Sequence, residues 1–410
     1  MKKLLADIKW NLKNHTFFIL YTMIFISLLN GQVADSGTIF LYSSVLYFIV
    51  FNIVYLLLYW IFKIKYDNLF GEKGLFNKNL PFRQLKYILL LLFSTIVCFI
   101  LIHYLYLQKI PVIKAWLSSD YYEIVNIRRN ITRLENGFFR YTSSFMIKAI
   151  IPFTLILLHI NKKHILYWML LIIAAFYATS LMQKSFIITV LAPVTFYAFL
   201  QLNWLYFGKY VIIIITSIYI LLYVSNPDLR NIEVPKNAQI EQNKINKLST
   251  AETNNTFIHA IYKRVTLIPG KMISDWYKHI PKEKPFLNGC GYRFIAPMLD
   301  CEFHNYAQEL YPVIYPDYAA IGIQGNVNVA SFMYDYANFR NKGLVMSGML
   351  LAILFIALEL IFKNQFKLKF SLITFYILML SSSALSTLLL SGGLGLMVLL
   401  YFLFREYLHS

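Results

Sequence analysis

The sequence predicts an all-α polytopic membrane protein with about ten transmembrane helices and one large outer loop. Two observations lead there. Of 410 residues, 58% are hydrophobic and only 14% are charged, and the mean hydropathy is +0.56. A soluble domain carries about 25% charged residues. Several apolar runs are also long enough to cross the roughly 30 Å hydrocarbon core as helices. They lack the alternating strands of about ten residues that mark a transmembrane barrel.

The apolar runs fall at about 15–30, 39–62, 87–107, 144–160, 165–180, 185–201, 209–224, 343–362, 369–385 and 388–404. This order divides the chain into an N-terminal membrane bundle (1–224, with an outer loop at 108–143), a large outer loop (225–342) and C-terminal membrane helices (343–410). The opening "MKKLLADIKWNLKNHTFFILYTMIFISLLN" has a basic start and an apolar run but no convincing small-x-small cleavage site. It reads as an uncleaved first helix.

Charge gives the orientation. The segment 63–86, "NKKH" (161–164) and "KNQFKLK" (363–369) are basic and share one side with the Lys-rich start of the chain. The positive-inside rule makes that side cytoplasmic, with both termini on it. Much of the net charge of +18 therefore flanks membrane spans. Nucleic acid is not an expected partner, whereas membrane lipids are.

The large loop starts with a polar stretch, 226–256, that reads as a linker. "FIHAIYKRVTLIPGKMISDWYKHI" (257–280) is amphipathic, with Phe257, Ile261, Val265 and Ile268 at helical spacing. Pro269-Gly270 is expected to break it into two pieces lying in the membrane interface. Cys290 and Cys301 follow in "NGCGYRFIAPMLDCEF". An exported loop favours their oxidation, and a bridge there is worth about 3 kcal/mol. Two free thiols are the alternative. No pattern of His and Cys points to a metal.

Ionisable residues inside the spans are few, and each one costs on the order of 3 kcal/mol at mid-bilayer. Glu359, near the end of the eighth run, is expected to reach Lys363. Lys184 stands in "LMQKSF", between two spans at the outer edge. With no Asp inside the runs and one Glu near an end, a secondary transporter is disfavoured.

Chemistry is thereby directed to the outer face, where three clusters stand. "YYEIVNIRRNITRLENGFFRY" (121–141) holds Arg128 and Arg129, and "YKRV" holds Arg264. "GNVNVASFMYDYANFRNKG" (325–343) holds Asn326, Asn328, Ser331, Asp335, Asn338 and Arg340. Arg forks suit phosphate oxygens, although a single Arg beside a bilayer is more often an anchor. Aromatic rings with amides and carboxylates suit sugars. On a helix beginning near 329, Ser331, Asp335 and Asn338 share one face, and Phe332, Tyr336 and Phe339 the neighbouring one.

In layout, and in "DYANFRNKG" running into a span, the chain resembles the oligosaccharide repeat-unit polymerases, the Wzy-type O-antigen and capsule polymerases. "RRNITRLENGFFRYTSSF" and "LMQKSFIITVLAPV" resemble segments of the same family. Arg340 departs from the pattern, which more usually has glycine there. The resemblance implies a GT-C-like membrane glycosyltransferase that uses no metal and no cofactor, at the bacterial inner membrane. Donor and acceptor are undecaprenyl-pyrophosphate-linked oligosaccharides, and a chain-length regulator is a further partner in such systems.

On this reading, Arg128, Arg129, Lys184 and Arg264 are candidates to neutralise the pyrophosphate leaving group. His304 and Asp335 are candidate catalytic groups for the attacking hydroxyl, and Glu302 is a third. Nearby cations would hold carboxylates ionised, which favours His304 as the base. Asn326, Asn328, Ser331, Asn338 and Arg340 are candidate glycan contacts. Two alternatives stand beside this one. An O-antigen ligase shares the layout, and its "His-Asn-x-x-L" run is partly matched by "HNYAQEL". A lipid-linked oligosaccharide flippase is disfavoured by the long loop.

Overall fold

A computed structural model of the chain describes residues 14–70, 82–108, 110–120, 136–230, 262–320, 325–362 and 365–408, with isolated residues 123, 124, 127 and 259. Among the described residues every element is helical and no strand occurs. The main helices are α1 (Thr16–Ser36), α2 (Leu41–Phe70), α3 (Phe82–Leu107), α4 (Gly137–Ile160), α5 (His164–Ser180), α6 (Lys184–Leu200) and α7 (Trp204–Ser225). They are followed by α8 (Ile268–His279), α9 (Ser331–Ile361), α10 (Phe366–Met379) and α11 (Leu394–Phe404). Among the described residues, seven helical runs are long and apolar enough to cross a membrane: α1 to α4, α7, α9 and Leu385–Leu408, which contains α11. Helices α5 and α6 are apolar but shorter. Eight of the ten apolar runs of the sequence fall on one of these helices; the run 369–385 extends past the end of α10 at Met379, and the run 388–404 is interrupted at 390–393, between Leu385–Leu389 and α11.

The described chain forms two units. One is drawn from 76–240, 365–375 and 388–410. Its centre is α4, whose residues from Ile151 to Leu158 are all buried. His103 of α3 is fully buried there, with Nδ1 2.7 Å from the Tyr177 hydroxyl and its ring stacked on Phe139. The Arg230 guanidinium donates to the carbonyls of Ala115, Trp116 and Ser118 at 2.7, 2.6 and 3.0 Å. It thereby satisfies the carbonyls at the end of the short helix Pro111–Leu117, a site that favours cations.

The other unit is drawn from 1–75, 241–364 and 376–387. The described part of the large loop therefore packs with the first two helices, and the unit is contiguous in space rather than in sequence. Aromatic rings fill its core: Phe25 stacks on Phe48 at 4.4 Å, Tyr47 on Phe332 at 4.5 Å, and Tyr21 meets Phe355 edge-on at 5.6 Å. Lys363, the expected partner of Glu359, lies outside the described residues. Glu359 is buried, and its Oε1 accepts the Phe17 backbone N–H at 2.9 Å. The first N–H groups of a helix have no partner within it and lie at its positive dipole end, so the start of α1 is a favourable place for a carboxylate.

The amphipathic segment also departs from expectation. It is not broken at Pro269-Gly270. A π-helical turn, Lys263–Leu267, runs straight into α8, with Pro269 in the first turn of the α-helical part. Proline lacks an N–H and clashes with the carbonyl four residues back, and a π-turn changes that pairing locally. The same arrangement recurs at Met146–Ile150, ahead of Pro152.

Nor does the segment lie across the top of the bundle. It runs alongside α1, parallel to it. Ser27 meets Thr266 at 2.7 Å between hydroxyls, Ser36 meets Ser274 at 2.9 Å, and Lys278 pairs with Asp35 at 2.8 Å. Between these rungs the backbones touch at Gly31 and Gly270. A Cβ on Gly270 would lie 2.2 Å from the Gly31 carbonyl carbon, and one on Gly31 would lie 1.9 Å from the Thr266 oxygen. Small residues four apart, Thr266, Gly270 and Ser274, give the close approach that membrane helices use for packing. Thr266 thus stands about halfway along α1.

Helix α9 is two arms rather than one rod. Phe339 and Arg340 leave the helical region, with Arg340 at φ 58° and ψ −141°. In a straight helix, residues 335 and 343 would be about 12 Å apart along the axis. Instead a Cβ on Gly343 would lie 2.0 Å from the Asp335 carbonyl oxygen. The arm 331–338 therefore folds back on the start of the long arm, and only glycine fits at 343. The backbone conformation at position 340 is one that glycine adopts freely. A residue with a side chain pays about 1–3 kcal/mol there. The Arg340 guanidinium recovers part of this over the Phe286 ring, 4.6 Å from its centroid, a contact worth about 0.5–1 kcal/mol. Arg340→Gly is expected to raise the thermal midpoint of the detergent-purified protein slightly. A fall in that midpoint would contradict the strain assignment.

Candidate functional site

The site is built on the short arm of α9 and the loop that grips it. Cys290 and Cys301 are bonded, with Cα atoms 6.0 Å apart. The closed loop presents backbone N–H groups to the end of the arm. Leu287 donates to the Ala337 carbonyl and Asn288 to that of Asn338, both at 2.9 Å. The Asn338 side chain completes the joint. Its Oδ1 accepts from Gly289 at 3.2 Å and Gly291 at 3.0 Å, and its Nδ2 donates to the Tyr334 carbonyl at 2.8 Å. Asn338 is only 2% exposed. Its amide is committed to holding the loop, not turned outward to a ligand.

Asp335 lies one turn earlier and is 8% exposed. The Tyr292 hydroxyl, carried by the same loop, donates to its Oδ1, and Ser347 of the long arm supplies a second hydroxyl. Burial, together with the negative charge of Asp335, pushes the Tyr292 hydroxyl far above the usual phenol range, so tyrosine remains the donor. Ser331, at the start of the arm, is buried; its backbone N–H donates to the Leu380 carbonyl at 2.8 Å, and its hydroxyl meets Tyr21. Tyr21 is bonded in turn to Tyr47 at 2.7 Å. The shared face of Ser331, Asp335 and Asn338 is thus real, but it faces the protein interior. A buried carboxylate needs such hydroxyl partners.

The exposed chemistry stands beside this joint. The His304 backbone N–H donates to the Cys290 carbonyl at 3.0 Å, which hangs the histidine on the disulfide loop. Its side chain is 44% exposed, and Nδ1 is 3.1 Å from Glu309 Oε1. Glu309 Oε1 also accepts the Asn305 N–H at 3.1 Å, and Oε2 pairs with Lys284 at 3.2 Å. Between His304 and Glu309, the Ala307 carbonyl accepts the Val327 N–H at 2.7 Å. The Val327 carbonyl accepts from Trp276 Nε1 of α8 at 3.1 Å. With Val327 pinned from both sides, its neighbours Asn326 and Asn328 are left exposed.

Arg264 is exposed on the π-turn, about 18 Å down the helix axis from Trp276 at 1.5 Å per residue. Lys184 is exposed at the start of α6, in the other unit. Arg128 and Arg129 lie outside the described residues. The structure therefore joins the segment of His304 to that of Asn326 and Asn328 through the Val327–Ala307 bond, and sets Ser331, Asp335, Asn338 and Arg340 on the hairpin beneath the loop. It does not bring Arg264 to His304. Sequence reasoning passed over Tyr292 and Glu309, which hold Asp335 and His304. Among the described residues no group of three or more His, Cys, Asp or Glu side chains is arranged to hold a metal.

The fold defines a polytopic α-helical membrane protein with an ordered, disulfide-closed loop seated on a helical hairpin. No protein family, no curated protein and no solved structure matches the chain.

Proposed function

We propose that the protein is a membrane glycosyltransferase that joins undecaprenyl-pyrophosphate-linked oligosaccharide repeat units into a surface polysaccharide, an O-antigen or a capsule. It works at the outer face of a bacterial inner membrane, with both termini in the cytoplasm. One observation carries the reading: a half-exposed histidine, backed by a carboxylate, stands on a loop segment that the Val327–Ala307 backbone bond ties to the segment bearing two exposed amides, Asn326 and Asn328. A sugar hydroxyl is a weak nucleophile that benefits from a base within hydrogen-bond reach, and exposed amides supply bonds to the other hydroxyls. The Cys290–Cys301 bond fits an oxidising compartment. The resemblance of "DYANFRNKG" to the repeat-unit polymerases supports the same reading.

In this proposal His304 is the base, and Asn326 and Asn328 contact the glycan. Asp335 holds the loop through Tyr292 rather than touching sugar. Arg264, Lys184, Arg128 and Arg129 are the cations offered to the pyrophosphate. The test is the surface glycan of a source strain lacking the gene, complemented with the natural chain or with His304→Ala at equal protein level. A polymerase predicts single repeat units in the deletion strain, a full ladder with the natural chain, and a ladder shortened about 10²-fold in yield with the variant. Complete loss of surface glycan in the deletion strain identifies a ligase instead, the reading that "HNYAQEL" favours. An unchanged glycan in the deletion strain excludes both.

A further inference from the structure

We infer that Glu309 is the positioning residue for His304, fixing its tautomer so that Nε2 is the exposed base. This deepens the glycosyltransferase reading, and its activity arm rests on that reading. The geometry is that of a carboxylate behind an imidazole. Glu309 Oε1 is 3.1 Å from Nδ1, while Oε2 is held by Lys284 at 3.2 Å. The Asn305 N–H, at 3.1 Å, fixes Oε1 from a third direction. Glu309 therefore cannot swing away without giving up two other partners. A carboxylate is an acceptor only, so Nδ1 must carry the hydrogen, and the lone pair is left on Nε2, on a side chain 44% exposed.

The other charged groups nearby are few. Glu302 is exposed two residues before His304, and the Arg293 guanidinium lies over the Phe303 ring at 5.0 Å.

In the reaction, Nε2 takes the proton of the acceptor hydroxyl as its oxygen bonds to the anomeric carbon of the donor. The bond from that carbon to the pyrophosphate oxygen breaks, and the lipid pyrophosphate leaves with the electron pair. His304 becomes an imidazolium whose Nδ1–H still points at the Glu309 carboxylate, so the new charge is offset as it forms. The proton then passes to solvent. An orienting carboxylate of this kind acts by fixing tautomer and stabilising imidazolium, without taking the proton itself.

The decisive measurement is independent of any substrate. In the full-length protein, ¹⁵N-labelled on histidine and held in nanodiscs, the His304 resonances are assigned by their loss in His304→Gln. Nδ1-protonated neutral imidazole is expected in the natural chain, and a mixture of the two neutral tautomers in Glu309→Ala. A neutral form protonated on Nε2, or a tautomer that Glu309→Ala leaves unchanged, overturns the inference. The second arm is the pH profile of glycan elongation in membranes supplied with the host's own lipid-linked repeat units. Glu309→Gln is expected to lower the rate about 10²-fold, while Glu309→Asp restores part of it. If the natural chain elongates nothing, the functional reading fails while the resonance data still judge the pair. If it elongates and Glu309→Gln matches it at every pH, the pairing has no role in the reaction.

Discussion

Gly270→Leu is expected to prevent α8 from docking on α1. The Cβ alone would meet the Gly31 backbone at 2.2 Å, and backbone cannot rotate aside as a side chain can. Overpacking a core costs about 1–3 kcal/mol when side chains can yield, so the cost here lies at or beyond the top of that range. Separating the helices also parts the Ser27–Thr266 and Ser36–Ser274 pairs and the Lys278–Asp35 bridge. The measurement is the fraction of protein that remains monodisperse after extraction, and its thermal midpoint. Gly208→Ala is the control, since nothing lies within 4 Å of a Cβ there. Equal midpoints for Gly270→Leu and the natural chain would rule out the close crossing.

The second large effect is expected at Asn338. Alanine there leaves the Gly289 and Gly291 N–H groups without their acceptor, at about 1–3 kcal/mol for each buried donor left unpaired. It also frees the last carbonyl-facing turn of the arm, because the loop that donates to Ala337 and Asn338 is seated by that same amide. Protease cleavage within 281–305 is expected to accelerate at least tenfold. Tyr292, on the same loop, then loses its hold on Asp335, so His304 and Asp335 should both be displaced by one distant change. A cleavage rate equal to that of the natural chain would show that the loop is held elsewhere.

These residues show what a sequence can and cannot carry. The spans were readable because each is a long apolar run, and length against the bilayer is a one-dimensional property. The face shared by Ser331, Asp335 and Asn338 was readable from helical spacing. Which way that face turns was not, because it depends on the loop 287–292 folding over it. Gly343 was visible as a glycine, but its reason, the Asp335 carbonyl, appears only when the chain doubles back. The spacing of Thr266, Gly270 and Ser274 was a packing signal in plain view. Lys263, Arg264 and Lys271 between and before them made the segment look like an interface helix. The π-turn before Pro269 leaves no mark in sequence. Glu309 lies five residues from His304, across a turn, a spacing that no helix face would have paired.

The parallel seam between α1 and α8 also has a consequence in time. Helix α1 ends at Ser36, and its partner begins with the turn at Lys263. Chains are made at about 5–20 residues per second, so roughly 10–45 s of synthesis separate the two. Through that interval Ser27, Gly31 and Ser36 are already in the membrane, while the helix that will cover them does not yet exist. The first span of this protein is thus inserted early and completed late. Its notched face must stay unspent until nearly two thirds of the chain has been made.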